Sequence, residues 1–370
     1  MKLTIKREPF EKVLETVNNA IPATTADPSL KNFLLSVNDS GVKVLGSDGM
    51  LSIQGDIKKG EENDPIINLD PGACQIPAKY LLDIVKSLQS EIVTIELVDS
   101  SILYVSDDRS QFQLNISQAA DYPDIDMKTE SNEVIDLKFS DYQSLYSATS
   151  FAVDTKGPKD LFKGININAS GNRLTFIATD SFRLARKYII IDGDHHVSIT
   201  VPSKTMGVVS HLEGADMLSL IVDTSKVIFK VGNFLFSSKL YNGEFPNVDR
   251  IVPTETNYLL TVNAKEFVSS VDRITIVGNT KILVTASPER TEISSKDVNV
   301  GSSKEVIHDA KFAGDHFAII FNADFVTDAI KALNAEYVTL AFVAENRAFL
   351  VKSDDESITQ VITPIRSLGD

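Results

Sequence analysis

The sequence predicts an α+β protein built as three tandem copies of one module, each with antiparallel sheets and two helices packed on one face. Three observations carry this. Amphipathic helical patterns recur about every 120 residues along the chain, a normal domain size. Alternating strand signals, such as residues 41–45 and 92–96, lie between them. Each copy also holds a strand running into an aspartate, over residues 44–48, 176–180 and 293–297.

In the first copy Phe10, Val13, Leu14 and Val17 form an apolar stripe, with Pro9 in the first helical turn. Ile76-Pro77-Ala78-Lys79 opens its second helix, with Leu81, Ile84, Val85 and Leu88 on one face. The middle copy repeats the first stripe as Tyr142, Leu145, Tyr146 and Thr149 behind Ser140, the predicted N-cap. Val201-Pro202-Ser203-Lys204 then opens a helix carrying Thr205, Val208, Val209 and Leu212. In the third copy Phe267, Val271 and Ile274 follow Asn263, and Phe321-Asn322-Ala323-Asp324 precedes Val326, Ala329, Ile330 and Leu333. Tyr122-Pro123 and Phe245-Pro246 close the first two copies after strands at 112–114 and 234–236; residues 361–366 take that place in the third. Boundaries near Met127 and Pro253 give domains 1–126, 127–253 and 254–370.

The composition, 43% apolar and 24% charged, is that of a globular protein. A formal charge of −15 argues against simple adhesion to phosphate backbones, so any nucleic-acid role must be local or topological. Cys74 is the sole cysteine, which excludes an intrachain disulfide. The N-terminus lacks an apolar signal core and no stretch approaches the ~18 to 20 apolar residues of a membrane helix, so a cytoplasmic protein is expected.

Phosphate-cradling glycine motifs, metal-spaced His/Cys sets and a G-x-S-x-G elbow are all missing, so the expectation is no catalysis, no metal and no cofactor. His195-His196 reads as a solvated loop at a Gly193-Asp194 turn, and Asp107-Asp108-Arg109 as a hairpin turn. Asp180 reads as a turn-stabilising aspartate. Paired with Arg183 it is also the one acid that a hydrolase-like alternative could use, and a monomeric protein-binding scaffold is a further alternative. Two surface patterns remain. Lys79 and Lys86, Lys204 and His211, and Asp324 and Lys331 are spaced to share the polar face of the second helix in each copy, and Lys12 and Arg273 add charge on first helices. In L-T-F-I-A-T-D-S-F-R-L-A-R, residues 174–186, Phe182 and Leu184 flank Arg183 just past a turn, which suggests an apolar docking surface with a fixed cation.

The tandem repeats, A-T-D-S-F-R-L-A at 178–185, K-L-Y-N-G-E-F-P-N-V-D-R at 239–250 and V-I-T-P-I-R at 361–366 together resemble the bacterial β sliding clamps, the processivity subunits of replicative DNA polymerase III. The resemblance implies DNA-clamp domains with sheets outside and helices inside, closing as a ring in a head-to-tail homodimer around double-stranded DNA. It implies partners that dock through short linear motifs: the polymerase III alpha and clamp-loader subunits, other polymerases and repair proteins. The implied groove takes Phe162, Thr179, Phe182, Arg183 and Leu184 from the middle domain, and Pro246, Arg250 and Ile251 from the next loop. The tail adds Val361, Pro364, Ile365 and Arg366. Lys79, Lys86, Lys156, Lys204, His211 and Lys331 are the implied DNA contacts. For the dimer, edge strands are expected at Phe112 and Leu114 in the first domain and at 281–284 in the third. Phe182 stands where the family usually has His, Thr363 where it has a bulky apolar residue, and Ser367-Leu368-Gly369-Asp370 extends past the usual end. The loop at Thr24-Thr25 lacks an arginine often found there.

Overall fold

The computed structural model describes residues 1–60, 64–128, 130–131 and 133–366; the extra tail, residues 367–370, lies outside them. The chain divides into two compact units, Met1–Phe139 with Val208–Leu240, and Ser140–Gly207 with Tyr241–Asp370. The middle copy is therefore shared between the two.

In the first unit, the strand Lys2–Lys6 buries Leu3 and Ile5 and turns its other side chains outward, the period-two pattern of a half-buried strand. It lies within a five-stranded antiparallel sheet ordered Ile66–Asp70, Lys2–Lys6, Ile92–Leu97, Ile102–Ser106, Gln111–Asn115. A nine-stranded antiparallel sheet takes five strands from the first copy and four from the middle one. The join is Leu51–Lys58 against Phe234–Lys239, with Ile53 opposite Phe236. Helices α1 (Arg7–Asn18) and α2 (Ala78–Ser87) pack on one another. Helix α1 buries the four residues of its predicted stripe, each worth roughly 1.5–3 kcal/mol of burial. On α2 the buried face includes Leu82 while Ile84 is only half-buried, a one-residue rotation from the expected stripe. Gly55 lets α1 lie close to the sheet: a Cβ there would stand 2.7 Å from Val13 Cγ1 and 2.9 Å from Phe234 Cε1.

The second unit holds α3 (Phe139–Thr149) from Ser140 onward and α4 (Ser203–Ser210) as far as Gly207. The predicted cap Ser140 is already inside α3, one residue past its start. Buried Tyr142 donates its hydroxyl to Met206 O at 2.8 Å. Helices α5 (Ala264–Thr275) and α6 (Ala323–Leu333) pack together and bury their predicted stripes. Asn263 and Asn322 cap them, their side chains accepting the N–H of Glu266 and Asp324.

A seven-stranded sheet runs Gly164–Thr179, Arg183–Pro202, Ile358–Ile362, Phe349–Lys352, Tyr337–Phe342, Tyr258–Asn263, Ala310–Ala313. Its first two strands form one long hairpin. His195 and His196 lie within that hairpin, opposite Gly171 and Ser170, rather than in a loop. What the glycine at 193 (φ +94°) marks is a register break in the ladder. The remaining sheet is ordered Gly301–Ile307, Arg290–Asp297, Lys281–Ser287, Phe317–Asn322. Residues 281–284 thus lie in an internal strand, paired with Phe317–Asn322 throughout and with Arg290–Asp297 from Leu283 onward, and are not the expected edge. Gly301–Ile307 is one terminal strand of this sheet, and its Ser302, Ser303, Lys304 and Glu305 suit an exposed edge better than the apolar 281–284 does.

Candidate functional site

The site grows from the tip of the long hairpin. Asp180 Oδ1 accepts the backbone N–H of Phe182 and of Arg183, both at 2.9 Å. Thr179 Oγ1 accepts from Ser181 N and donates to Arg183 O. Short polar side chains close tight turns in this way. Ser181 is held at φ +77°, a left-handed conformation that a non-glycine residue adopts only under such constraint.

Arg183, expected as a fixed cation between Phe182 and Leu184, is held by two carboxylates. Its Nε donates to Asp180 Oδ2 at 2.9 Å and its Nη1 to Asp328 Oδ2 of α6 at 2.7 Å. The guanidinium lies 4.6 Å from the Phe325 ring centroid and 5.4 Å from that of Phe151. Only 12% of the side chain is exposed. Both oxygens of Asp180 are likewise engaged, one by the turn amides and the other by Arg183, an arrangement that holds the backbone in place.

Phe182, by contrast, is 60% exposed. Its ring stacks on Phe325 at 6.4 Å, and its carbonyl accepts both the N–H and the hydroxyl of Thr363. The polar residue at 363 thus ties the tail to the hairpin tip.

Beside this tip lies an open groove of about 600 Å³. Of the residues assigned to it from sequence, Thr179, Phe182, Arg183, Leu184, Arg250, Ile251 and Val361 line it. Leu184 and Val361 pair across adjacent strands and belong to a buried cluster with Val248, Ala341 and Leu350. Five assigned residues do not line the groove. Pro246 lines a separate cavity of about 480 Å³ with Arg173, Arg186 and Tyr188. Phe162 sits edge-on to Phe245 at 6.3 Å. Pro364, Ile365 and Arg366 lead away, because Ile365 N bonds to Ile320 O on the Phe317–Asn322 strand. Sequence reasoning missed further lining residues: Val252 to Glu255, and Val343, Arg347 and Ala348 from the turn between Tyr337–Phe342 and Phe349–Lys352. No periodic pattern marks either segment.

The basic candidates are all exposed, and their surroundings differ. Lys79 and Lys86 project from α2, where Lys86 Nζ is 2.7 Å from Glu15 Oε1 of α1; that hydrogen bond raises the ammonium above its usual value. Lys204 is on α4, while His211 falls just past the helix end, so the heptad expected there is not completed. Lys331 is in the last turn of α6, a favourable end for a cation. Lys156 lies within a turn closed by Asp154, which accepts the backbone N–H of Lys156 and Gly157, off any helix. Arg273 is engaged with Glu305, whose carboxyl it holds below the ordinary range.

Phe112 is exposed and Leu114 half-buried on Gln111–Asn115, an unpaired edge of the five-stranded sheet. Near the terminal strand Gly301–Ile307 stand Ile276 (79% exposed), Val277, Val298 (92%) and Val300, apolar residues that sequence reasoning did not single out. Among the described residues no group of three or more His, Cys, Asp or Glu side chains is placed to hold a metal.

Fold and groove together define the class. The structure of the DNA polymerase sliding clamp from Bacillus subtilis superposes with a TM-score of 0.94 at 28% identity over 99% of each chain. The Pseudomonas aeruginosa clamp, at 23% identity, matches in fold with a TM-score of 0.90. The curated Beta sliding clamp of Bacillus subtilis is 28% identical over 99% of this chain and all of its own length, and that of Staphylococcus aureus is equally similar. Models of the DNA polymerase III beta subunit match in sequence order: the N-terminal domain over residues 1–126, the central domain over 136–247 and the C-terminal domain over 249–366. The chain belongs to the DNA polymerase III beta subunit family and functions as a sliding clamp, a processivity factor.

Proposed function

We propose that two copies of this chain join head to tail as a ring around double-stranded DNA, in the cytoplasm and with no catalysis of their own. In this reading the ring tethers the DNA polymerase III alpha and clamp-loader subunits, and other polymerases and repair proteins, through short linear motifs in the hairpin-tip groove. The groove itself carries the reading: an apolar floor of Leu184 and Val361 beside an exposed Phe182, open to solvent and sized for a peptide. Three domains with boundaries near 127 and 253 belong to the same proposal. The dimer is supported by two open edges, Gln111–Asn115 and Gly301–Ile307, the second flanked by exposed Ile276, Val298 and Val300; a partner copy would cover both.

Encirclement asks little of the DNA contacts. Lys79, Lys156, Lys204 and Lys331 supply scattered charge within a protein of −15, enough to lean on phosphates without gripping them. Retention should then follow topology. The protein loaded on nicked circular DNA should be lost when the circle is cut; equal retention on circular and linear forms defeats the proposal. A solution mass of a single chain at micromolar concentration removes the dimer.

A further inference from the structure

The groove carries a charge pattern that its apolar floor does not explain. Of its three arginines, Arg183 is spent on Asp180 and Asp328. Arg250 and Arg347 are exposed, line the groove and have no ion-pair or side-chain hydrogen-bond partner among the described residues. Glu255, also lining it, is not bonded to either. Arg250 precedes Ile251 in the loop after the middle copy, whereas Arg347 comes from the turn between Tyr337–Phe342 and Phe349–Lys352.

That turn is built to hold a side chain in place. Arg347 N bonds to Ala344 O within the turn, and its neighbours Val343 and Ala348 both face the groove. Asn257 ties the turn to the chain following Glu255: its N–H donates to Phe342 O and its side-chain amide to Val343 O at 2.9 Å. A guanidinium on a braced turn, over an apolar floor, without a carboxylate of its own, is suited to a ligand that brings one.

We infer that Arg347 is a specificity-determining residue of the groove, selecting peptide segments that carry a carboxylate beside their apolar anchor. This rests on the groove being the peptide site. Apolar burial against Leu184 and Val361 supplies attraction common to many peptides, while the charge at 347 ranks them.

The test uses the full-length protein and short fluorescent peptides with one shared pair of large apolar residues and a single adjacent position set to Asp, Asn or Lys. Wild-type protein should bind the Asp peptide about tenfold more tightly than the Lys peptide at low salt, with the ratio shrinking as salt rises. Arg347→Gln should flatten the ratio and Arg347→Glu should invert it. An unchanged ratio in both variants overturns the inference, as does a ratio near one in the wild type. If Phe182→Ala or Leu184→Ala weakens every peptide alike while 347 has no effect on ranking, only the role of Arg347 falls. If no peptide binds, or none responds to Phe182 or Leu184, the groove reading falls with it.

Discussion

The turn at Asp48 in the first unit and the turn at Asp180 in the second are the same object built twice. Asp48 Oδ1 accepts N–H from Met50 and Leu51, as Asp180 Oδ1 does from Phe182 and Arg183. Ser47 Oγ accepts from Gly49 N as Thr179 Oγ1 does from Ser181 N, and both turns close with the aspartate N–H on a carbonyl three residues on. What differs is the cargo. Gly49-Met50-Leu51 leaves a plain strand connection, whereas Ser181-Phe182-Arg183 puts an aromatic ring over a groove and a cation between two rings and two carboxylates. Backbone chemistry makes the turn; three side chains and what lies beneath them make the site.

The comparison breaks most visibly at the aspartates. Asp180→Ala should cost about 3 kcal/mol in urea unfolding of its unit, since it removes two amide bonds and one partner of a largely buried arginine. Asp48→Ala, which removes the corresponding amide bonds but touches no buried arginine in the way Asp180 does, should cost about 1 kcal/mol. Equal losses would mean that Arg183 draws nothing from Asp180. Next in size, Phe182→Ala should weaken peptide binding by about 1–2 kcal/mol with little shift in melting temperature, while Met50→Ala leaves peptide affinity untouched.

Smaller effects test the backbone. Gly49, at φ +87° with open space around a would-be Cβ, should lose about 1 kcal/mol on change to Ala. Ser181→Gly should gain about 0.5 kcal/mol by relieving the same conformation. A loss there would show that the serine contributes more than its strain. Smallest is a contrast between two lysines. Lys331 has no ion-pair partner among the described residues, but Lys86 is held by Glu15, so Glu15→Gln should raise nonspecific DNA affinity about twofold to threefold at low salt. No change in a filter or anisotropy assay would remove Lys86 from the DNA-facing set.

Much of the fold was legible because its signals are local. Helical stripes in α1, α5 and α6 and the three aspartate turns are patterns a few residues long, set by side-chain periodicity and backbone satisfaction. The errors came from distance. The pairing of Arg183 with Asp180 could be read locally, but its second carboxylate, Asp328, lies 145 residues away in the chain and could not. Residues 281–284 looked like an edge because alternation marks a strand without saying how many neighbours it has. Arg347 sits in a turn with no period, and its meaning depends on lining contributed by residues 252–255.

One pairing has a consequence for synthesis. The strand Leu51–Lys58 finds its outer neighbour only in Phe234–Lys239, about 180 residues later in the chain. At ribosomal speeds that is a wait of roughly 10 to 40 s during which an apolar edge stands open beside other nascent chains. A slow-codon stretch or a stall inside the intervening segment should therefore harm yield far more than one placed after residue 240, and a chaperone that shields strand edges should be needed early and then released.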